Sequence, residues 1–281
     1  MKILSTKEIE KIDVLLSKGF ILPRSKNYLH QGIKGTRKSN LSFILTNDEL
    51  KEYILCNNDP IYFIEKYCKI ITKNGIKNIK LYDTQKESIK IYLEKKLIIY
   101  LSARQSGTDL MSSLLFLHQM TFNDDFSIIS KAHKILNECN IIRNIKTAYI
   151  NLPFFLKKGL INFSSTNITF ENGSFINISK KPIASSNILY MQDFAFYDNQ
   201  EKIFQTIYPT VTARTSDKLL ISSSYNGHTF FNDLVNSSKF TVQKIKWDDI
   251  PNRNEQWKEN CINIVGKEKF NQVYNLEMPN I

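Results

Sequence analysis

The sequence predicts an α/β fold in which helices flank a mostly parallel β-sheet, with a small helical region at the N-terminus. The main observation is an apolar run at 97–101 that meets a short polar turn and then an apolar helical pattern from Leu110 onwards. Two further stretches, 187–196 and 218–224, have apolar residues that lead to polar ones, and helical patterns lie between the first run and these two. Strands that alternate with helices favour a parallel sheet covered on both faces.

Length and composition are those of a globular protein with either one large α/β domain and an appendage or two small domains. The 281 residues carry a net charge of +11, which suits an anionic partner such as nucleic acid. A compositional bias towards Lys, Asn and Ile explains the same charge equally well. No apolar run approaches the ~20 residues of a membrane span, so we expect no membrane partner.

The first 45 residues are predicted to form an N-terminal helix and a basic arm. Residues 1–20 have apolar side chains at helical spacing, and 21–40 are polar, basic and glycine-containing. Basic side chains of the arm are candidates for phosphate contacts, although a solvated tail is the favoured interpretation. These side chains are Arg24, Lys26, Lys34, Arg37 and Lys38.

The main domain is predicted at 46–245, and it begins with three helices. The first has Thr46 or Asn47 as its cap, and the second runs from Pro60 through 61–70. The third, at 81–96, leads into the strand at 97–101 and carries Gln85 near its start. A glutamine amide can read the edge of adenine, but spacing alone favours an ordinary surface glutamine.

Strand signals then follow the central helix. We expect a strand at 126–131 and then a helix that ends before Pro153. We also expect a β-hairpin around Asn172 and Gly173, because glycine adopts positive φ readily. The strand at 187–196 leads to Gln192 and Asp193. A C-terminal helical extension is predicted at 246–281. Its helix places Trp257, Cys261 and Ile264 on one face and stops at Gly266.

The turn between the strand at 97–101 and its helix is similar to a P-loop. Strand, tight loop and helix place backbone N–H groups around a phosphate. The pattern G-x-x-x-x-G-K-[ST] requires a lysine for the phosphates and a hydroxyl for magnesium. Here Gly107 is followed by Thr108 and Asp109, so the lysine position is a neutral hydroxyl and the hydroxyl position is a carboxylate.

Several segments in order resemble one known family. They are YDTQKE, SARQSG, FENGS, LYMQDFAF, YPTVTA, SSSYNGHTFFNDL and KWDDIPNRNEQWKENCINIVGKEKF. Together they resemble the ATPase domain of the large terminase subunit of tailed bacteriophages, especially the myovirus type, over about 46–277. The resemblance implies a P-loop NTPase fold of the ASCE/RecA-like type and a role in viral DNA packaging.

The resemblance also implies roles for individual residues. Gln85 matches an adenine contact, and Arg104 matches an arginine that acts on phosphates. Asp193 matches one acid of the family's pair, either the magnesium-associated acid or the catalytic carboxylate, and is a candidate for both roles. The nucleotide-binding set is Gln85, Arg104, Gln105, Ser106, Gly107, Thr108 and Asp109. The coupling turn contributes Ser224, Asn226 and Gly227. Gln192 stands where the family has the other acid of its pair.

Cofactors and partners follow from the same resemblance. They are ATP and Mg²⁺, double-stranded DNA, the portal protein and the small terminase subunit. The family implies a ring oligomer on the capsid in the host cytoplasm. The nuclease domain of the family lies beyond the matched segments, so we expect no nuclease activity from these 281 residues.

The departures at Thr108, Asp109 and Gln192 all act against nucleotide chemistry, which predicts weak or absent ATP hydrolysis. One alternative is a working but unusual motif, in which Arg104 or a lysine substitutes for the missing one. The candidate lysines are Lys131, Lys180 and Lys181. A second alternative is a catalytically silent subunit that binds DNA or a partner and assembles with an active motor or portal. A third is an active NTPase of another kind.

Overall fold

A computed structural model of the chain describes residues 28–41, 43–132, 135–178, 186–212, 217–227 and 229–278. The helix predicted at 1–20 lies outside the described residues, as do Arg24, Lys26, Lys180 and Lys181. None of the described helices has the length and apolar character needed to span a membrane.

Helices and strands alternate along the described residues. The helices are α1 (Asn47–Asn58), α2 (Pro60–Tyr67), α3 (Asp83–Glu94), α4 (Thr108–Phe122), α5 (Ile135–Asn151), α6 (Gln200–Thr212), α7 (Phe230–Asn236), α8 (Glu255–Val265) and α9 (Lys267–Val273). The strands are β1 (Lys69–Thr72), β2 (Gly75–Asn78), β3 (Leu97–Ser102), β4 (Ser127–Ala132), β5 (Leu160–Phe163), β6 (Asn167–Phe170), β7 (Phe175–Ile178), β8 (Ile188–Gln192), β9 (Lys218–Ser223) and β10 (Thr241–Ile245).

The main sheet of the described residues has eight strands in the order β10-β3-β9-β8-β4-β7-β6-β5. Strands β10, β3, β9, β8, β4 and β7 are mutually parallel, and β6 and β5 add an antiparallel edge. The prediction of a mostly parallel α/β sheet is therefore confirmed. The hairpin predicted at Asn172 and Gly173 joins β6 to β7, and Gly173 has φ 80°.

Both faces of the central strands β3, β8 and β9 are buried. Successive side chains of a strand point to opposite faces, so each of these strands packs against residues on both sides. In β3, Ile98 and Tyr100 pack on the face that carries α4, whereas Ile99 and Leu101 join an apolar cluster that includes residues of α6 and α7. A continuous apolar run is the sequence signature of such a strand.

Capping side chains start the first two helices where they were predicted. The Thr46 hydroxyl accepts a hydrogen bond from the Glu49 N–H at 3.2 Å, and Asp59 caps α2. The prediction that α2 continues through 61–70 was wrong at its end, since the helix stops at Tyr67. Its last residues instead enter the β1–β2 hairpin, which turns at Gly75 with φ 93°.

Three helices, α6, α7 and α9, were not predicted. Pro209 lies inside α6 and obscures its helical pattern, because proline removes a backbone donor. Helix α9 follows Gly266 directly. The expected face of α8 was wrong at Ile264, which is 83% exposed; Ile262 packs on the aromatic cluster with Trp257 and Cys261 instead.

The described part of the basic arm is partly structural. Arg37 is buried, forms an ion pair with Glu171 at 3.1 Å and packs on the Phe43 ring, which contradicts the prediction of a solvated side chain there. The Arg37 carbonyl accepts a hydrogen bond from the Leu160 N–H at 2.8 Å, and Lys38 pairs with Leu160 along β5. The arm therefore lies along the outer strand of the sheet.

Candidate functional site

The site lies at the edge of the sheet where β3, β8 and β9 end. These strands are neighbours and parallel, and their registers pair Leu101 with Ser223 and Gln192 with Ser222. Gly107 and Asp193 therefore follow the same edge, as the sequence predicted. In open parallel sheets this edge is where ligands bind.

The loop, residues 103–108, leads from β3 into α4. Gln105 and Gly107 both have left-handed backbone conformations, with φ 59° and 78°. The Ser106 N–H donates to the Ala103 carbonyl at 3.2 Å, and α4 begins at Thr108. Left-handed residues before a helix N-terminus create a concave set of backbone donors suited to an anion.

The hydroxyls of the loop are engaged with each other. The Ser106 and Thr108 hydroxyl oxygens lie 2.7 Å apart, and both residues are buried. Thr108 occupies the position of the missing lysine, and its short side chain adds no positive charge. The loop keeps the backbone geometry of an anion site without the cation that such sites commonly include.

Gln85 supports this loop from α3. Its amide nitrogen donates to the Ser106 carbonyl at 3.3 Å, and its amide oxygen accepts from the Tyr82 N–H at 3.2 Å. A Cβ on Gly107 would lie 2.9 Å from the Gln85 amide nitrogen, so glycine permits the close approach. The adenine contact assigned to Gln85 stays a prediction, whereas its contact with the loop backbone is direct.

Arg104 is exposed and approaches the strand-end segment, residues 192–196. Its guanidinium carbon lies 4.8 Å from the centre of the Phe196 ring. Its backbone N–H donates to the Val273 carbonyl at 3.2 Å. Of the substitute lysines, Lys131 is half-buried in β4, and the other two lie outside the described residues.

Asp109, in the first turn of α4, directs its carboxylate inwards although the residue itself is only half-buried. The Tyr190 hydroxyl donates to its Oδ1 at 2.6 Å, and the Ser222 hydroxyl does so at 3.3 Å. Burial raises the pKa of the Asp109 carboxyl; the Tyr190 hydrogen bond opposes that rise, and the negative charge of Asp193 adds to it. A buried carboxyl group therefore lies beneath the loop, near the second acid.

The strand-end residues differ from each other. Gln192 is fully buried, and neither atom of its amide has a hydrogen-bond partner among the described residues. Strand alternation places Gln192 on the same face as Tyr190, beside Ser222, and so towards Asp109. Asp193 is half-buried and has a left-handed backbone with φ 51°.

The coupling turn, residues 224–227, touches the strand-end segment. The Asn226 amide donates to the Ala195 carbonyl at 3.4 Å, and the Ala195 N–H donates to the Ser223 hydroxyl at 3.1 Å. Ser224 is buried, and Gly227 has φ 67°. These bonds join the ends of β8 and β9, and the coupling role itself stays a prediction.

One residue that the sequence did not single out also contacts the loop. Arg253, before α8, donates from Nη2 to the carbonyls of Arg104 and Gln105 at 3.1 and 3.0 Å. It belongs to the quoted segment KWDDIPNRNEQWKENCINIVGKEKF, but nothing in that segment indicates its distant partner.

The described residues of the site offer few oxygen ligands for a metal ion. In the described part of the chain no group of three or more His, Cys, Asp or Glu could hold a metal. Magnesium in nucleotide sites commonly takes one or two carboxylates together with phosphate oxygens and water. Asp109, Asp193 and the unpartnered Gln192 amide oxygen supply oxygen donors of that kind.

No protein-family model matches the sequence, but its fold is similar to several solved structures. The Thermus phage P74-26 large terminase ATPase domain superposes with a TM-score of 0.59 and 15% identity, over 71% of this chain and 94% of that one. The HK97 bacteriophage large terminase gives 0.63 and 13%, over 79% and 55%. A large terminase of a thermophilic bacteriophage in complex with ATP-γ-S gives 0.51 and 14%, over 69% and 52%.

The chain thus spans about half the length of the two larger terminases and nearly all of the isolated ATPase domain. Identities in this range establish similarity of fold alone. The chain has the fold of the ATPase domains of phage large terminases.

Proposed function

We propose that this chain is the ATPase-like domain of a terminase large subunit, that it takes part in phage DNA packaging, and that it hydrolyses ATP weakly or not at all. The shared fold supports the packaging role, and the resemblance of its ordered motifs supports the assignment to large terminases. The proposal of weak hydrolysis rests on the altered residues of the site.

The observation that carries this proposal is the position of Asp109. Its carboxylate is directed inwards from the first helical turn after the loop and is bonded to Tyr190 and Ser222. In this proposal it adds negative charge near the phosphates of a bound nucleotide. Two like charges ~4 Å apart repel by about 4 kcal/mol at an effective dielectric constant of ~20. A loss of that size corresponds to about a thousandfold in affinity.

The remaining residues take the following roles in this proposal. Arg104 binds phosphates as the one basic side chain of the loop, the backbone of 105–109 cradles them, and Gln85 contacts the adenine. Mg²⁺, when bound, would reduce the negative charge on phosphate oxygens; Asp193, with Asp109 and Gln192 nearby, would hold it. Asp193 orients the attacking water. The coupling turn, with Ser224, Asn226 and Gly227, transmits changes at the nucleotide site to the movement of DNA.

Phosphate release in the presence of Mg-ATP and double-stranded DNA tests the weak hydrolysis. We expect the wild-type chain to stay close to background. A variant that combines Thr108→Lys, Asp109→Ser and Gln192→Asp restores the usual residue types, and we expect it to release phosphate at least tenfold faster. Sustained, DNA-stimulated turnover by the wild-type chain would contradict the proposal.

Arg104→Ala in the restored variant is the matched control, and we expect it to abolish the gain. Calorimetry of wild-type and Arg104→Ala chains with ATP measures binding separately from hydrolysis. If wild type binds ATP, Arg104→Ala weakens that binding; equal affinity would remove Arg104 from the site.

The proposed partners are double-stranded DNA, the portal protein and the small terminase subunit, in a ring on the capsid in the host cytoplasm. The net charge of +11 supports phosphate contacts with DNA. Such binding weakens steeply with salt, which a gel-shift titration measures.

A silent subunit is the second candidate, favoured by the inward Asp109. It predicts salt-sensitive DNA or portal binding with no turnover, even beside an active motor chain.

A further inference from the structure

The C-terminal unit, residues 247–278, holds the loop at three backbone positions. Nη2 of Arg253 donates to the Arg104 and Gln105 carbonyls at 3.1 and 3.0 Å. The Arg104 N–H donates to the Val273 carbonyl at 3.2 Å. Both backbone groups of Arg104 are therefore bonded to one unit that lies far along the chain.

These bonds lie on either side of Gln105, the loop residue whose backbone conformation is the least favourable. Gln105 has φ 59°, and a residue with a Cβ loses roughly 1–2 kcal/mol in that region. In a trans peptide the carbonyl of one residue points opposite to the N–H of the next. By fixing two carbonyls, Arg253 therefore orients the N–H groups of Gln105 and Ser106.

Aromatic rings hold Arg253 in this position. Its guanidinium carbon lies 4.4 Å from the centre of the Trp257 ring, and the Tyr274 ring is 5.9 Å away. Trp257 stacks on Trp247 at 5.9 Å with an interplanar angle of 16°. The Asn254 side chain caps α8 by accepting from the Trp257 N–H at 2.9 Å. The planar guanidinium both stacks and donates twice, which a lysine cannot do.

We propose that Arg253 is a positioning residue for the loop: it keeps Gln105 left-handed and makes the loop's shape depend on the C-terminal unit. Its effect on nucleotide affinity rests on the function proposed above, whereas its effect on the loop does not. A displacement of α8 changes the donors that face an anion, because the same guanidinium touches the Trp257 ring and the loop carbonyls.

Hydrogen exchange of the full chain without nucleotide tests the loop directly. The Arg104 and Ser106 N–H groups are hydrogen-bonded and report its opening. We expect Arg253→Ala to accelerate their exchange at least tenfold and to leave the amides of β3 unchanged. Arg253→Lys should fall between Arg253→Ala and wild type, and millimolar methylguanidinium should slow exchange in Arg253→Ala.

Lys258→Ala is the matched control. Lys258 also lies over an aromatic ring of the unit, 5.5 Å from the centre of Trp247, but its ammonium pairs with Glu255. We expect the loop amides of Lys258→Ala to exchange at the wild-type rate. The proposal is overturned if Arg253→Ala leaves exchange unchanged, if Lys258→Ala raises it equally, or if methylguanidinium has no effect. If Arg253→Ala does not fold, Arg253→Lys decides by the same comparison.

ADP calorimetry separates this inference from the proposed function. If wild type binds ADP, Arg253→Ala should weaken binding about tenfold with Arg253→Lys between, and unchanged affinity would overturn the effect on nucleotide. If wild type does not bind ADP, the nucleotide-binding part of the proposed function fails, and the exchange measurement still decides the role of Arg253.

Discussion

The loop and the strand ends that face it differ in how their polar groups are paired. In the loop, residues 103–108, the carbonyls of Arg104, Gln105 and Ser106 have side-chain donors from α3 and the C-terminal unit. Across from it, Gln192 is buried with an unpartnered amide among the described residues, and the Asp109 carboxylate is buried near Asp193. The loop carbonyls thus have side-chain donors, whereas the Gln192 amide has no partner among the described residues and the Asp109 carboxylate is buried near a second acid.

This difference predicts opposite signs for substitutions. Buried polar groups with partners stabilise a fold, and removing one partner costs free energy, whereas an unpartnered buried group already costs free energy. Removing a side-chain donor, as in Gln85→Leu or Tyr190→Phe, should therefore lower stability. Replacing the unpartnered Gln192 amide or the buried Asp109 carboxylate by a neutral group should raise it. The experiments below test that contrast from the largest expected effect to the smallest.

Gln85→Leu should have the largest effect. It removes both amide contacts and leaves the Ser106 carbonyl and the Tyr82 N–H without partners, for a loss of about 2–4 kcal/mol. Urea unfolding measures the loss of unfolding free energy, provided that its dependence on urea concentration is the same in the variant and the wild type. Gln205→Leu, at an exposed position of α6, is the control and should change stability by less than about 0.5 kcal/mol. Equal losses would show that the Gln85 amide does not support the loop.

Tyr190→Phe tests the group that joins the two regions. It removes the donor to the Asp109 carboxylate, and hydrogen bonds to charged groups contribute about 1.5–3 kcal/mol. Tyr100→Phe is the matched control, because that hydroxyl donates to the neutral Ser88 carbonyl and should cost only about 0.5–1.5 kcal/mol. The reverse order in urea unfolding would mean that the Asp109 carboxylate gains little from Tyr190.

Gln192→Met should stabilise the chain. The two side chains have similar length, and methionine removes an amide that has no partner among the described residues, for a gain of about 1–2 kcal/mol. Gln192→Glu, which adds a buried negative charge near Asp109, should destabilise instead. A loss on Gln192→Met would mean that a water or ligand bonds the amide in solution.

Asp109→Asn should give the smallest gain, and the gain should depend on pH. The pKa of the Asp109 carboxyl is raised in the folded protein. At pH values above the pKa of an ordinary carboxyl, the folded state therefore binds more protons than the unfolded state, and the stability of the wild type falls as pH rises. The half-buried position limits the effect to about 1 kcal/mol at pH 8. The gain should vanish near pH 3, where both states are protonated.

Thermal unfolding of wild type and Asp109→Asn between pH 3 and 8 measures this, and exposed Asp124→Asn is the control. A gain of that size raises Tm by roughly 2–4 °C. A gain that is constant across this pH range would contradict the electrostatic origin.

Much of the fold was readable from local patterns. Strands β3, β8 and β9 are continuous apolar runs because both of their faces are buried, and Thr46 and Asp59 are capping residues with short polar side chains. Helix α6 was missed because Pro209 interrupts its pattern. Prediction from local patterns fails where one residue, such as this proline, disfavours the structure that its neighbours favour.

The site was predictable in position but not in its contacts. Gly107 and Asp193 meet because parallel strands end at one edge, which the order of elements implies. The Asp109 carboxylate turns inwards because of Tyr190 and Ser222, which lie 81 and 113 residues further along the chain. Arg253 meets the Arg104 carbonyl across 149 residues. Contacts of such separation have no signature in a single sequence.

The arm along β5 has a consequence for solubility. An outer strand with free backbone donors and acceptors can pair with the same strand of another molecule, which leads to aggregation. Here the carbonyl of Arg37 occupies the Leu160 N–H, and Lys38 places a charge beside that strand, although Ile161 stays 57% exposed. The Leu160 N–H of the outer strand is therefore unavailable for pairing with a strand of another molecule.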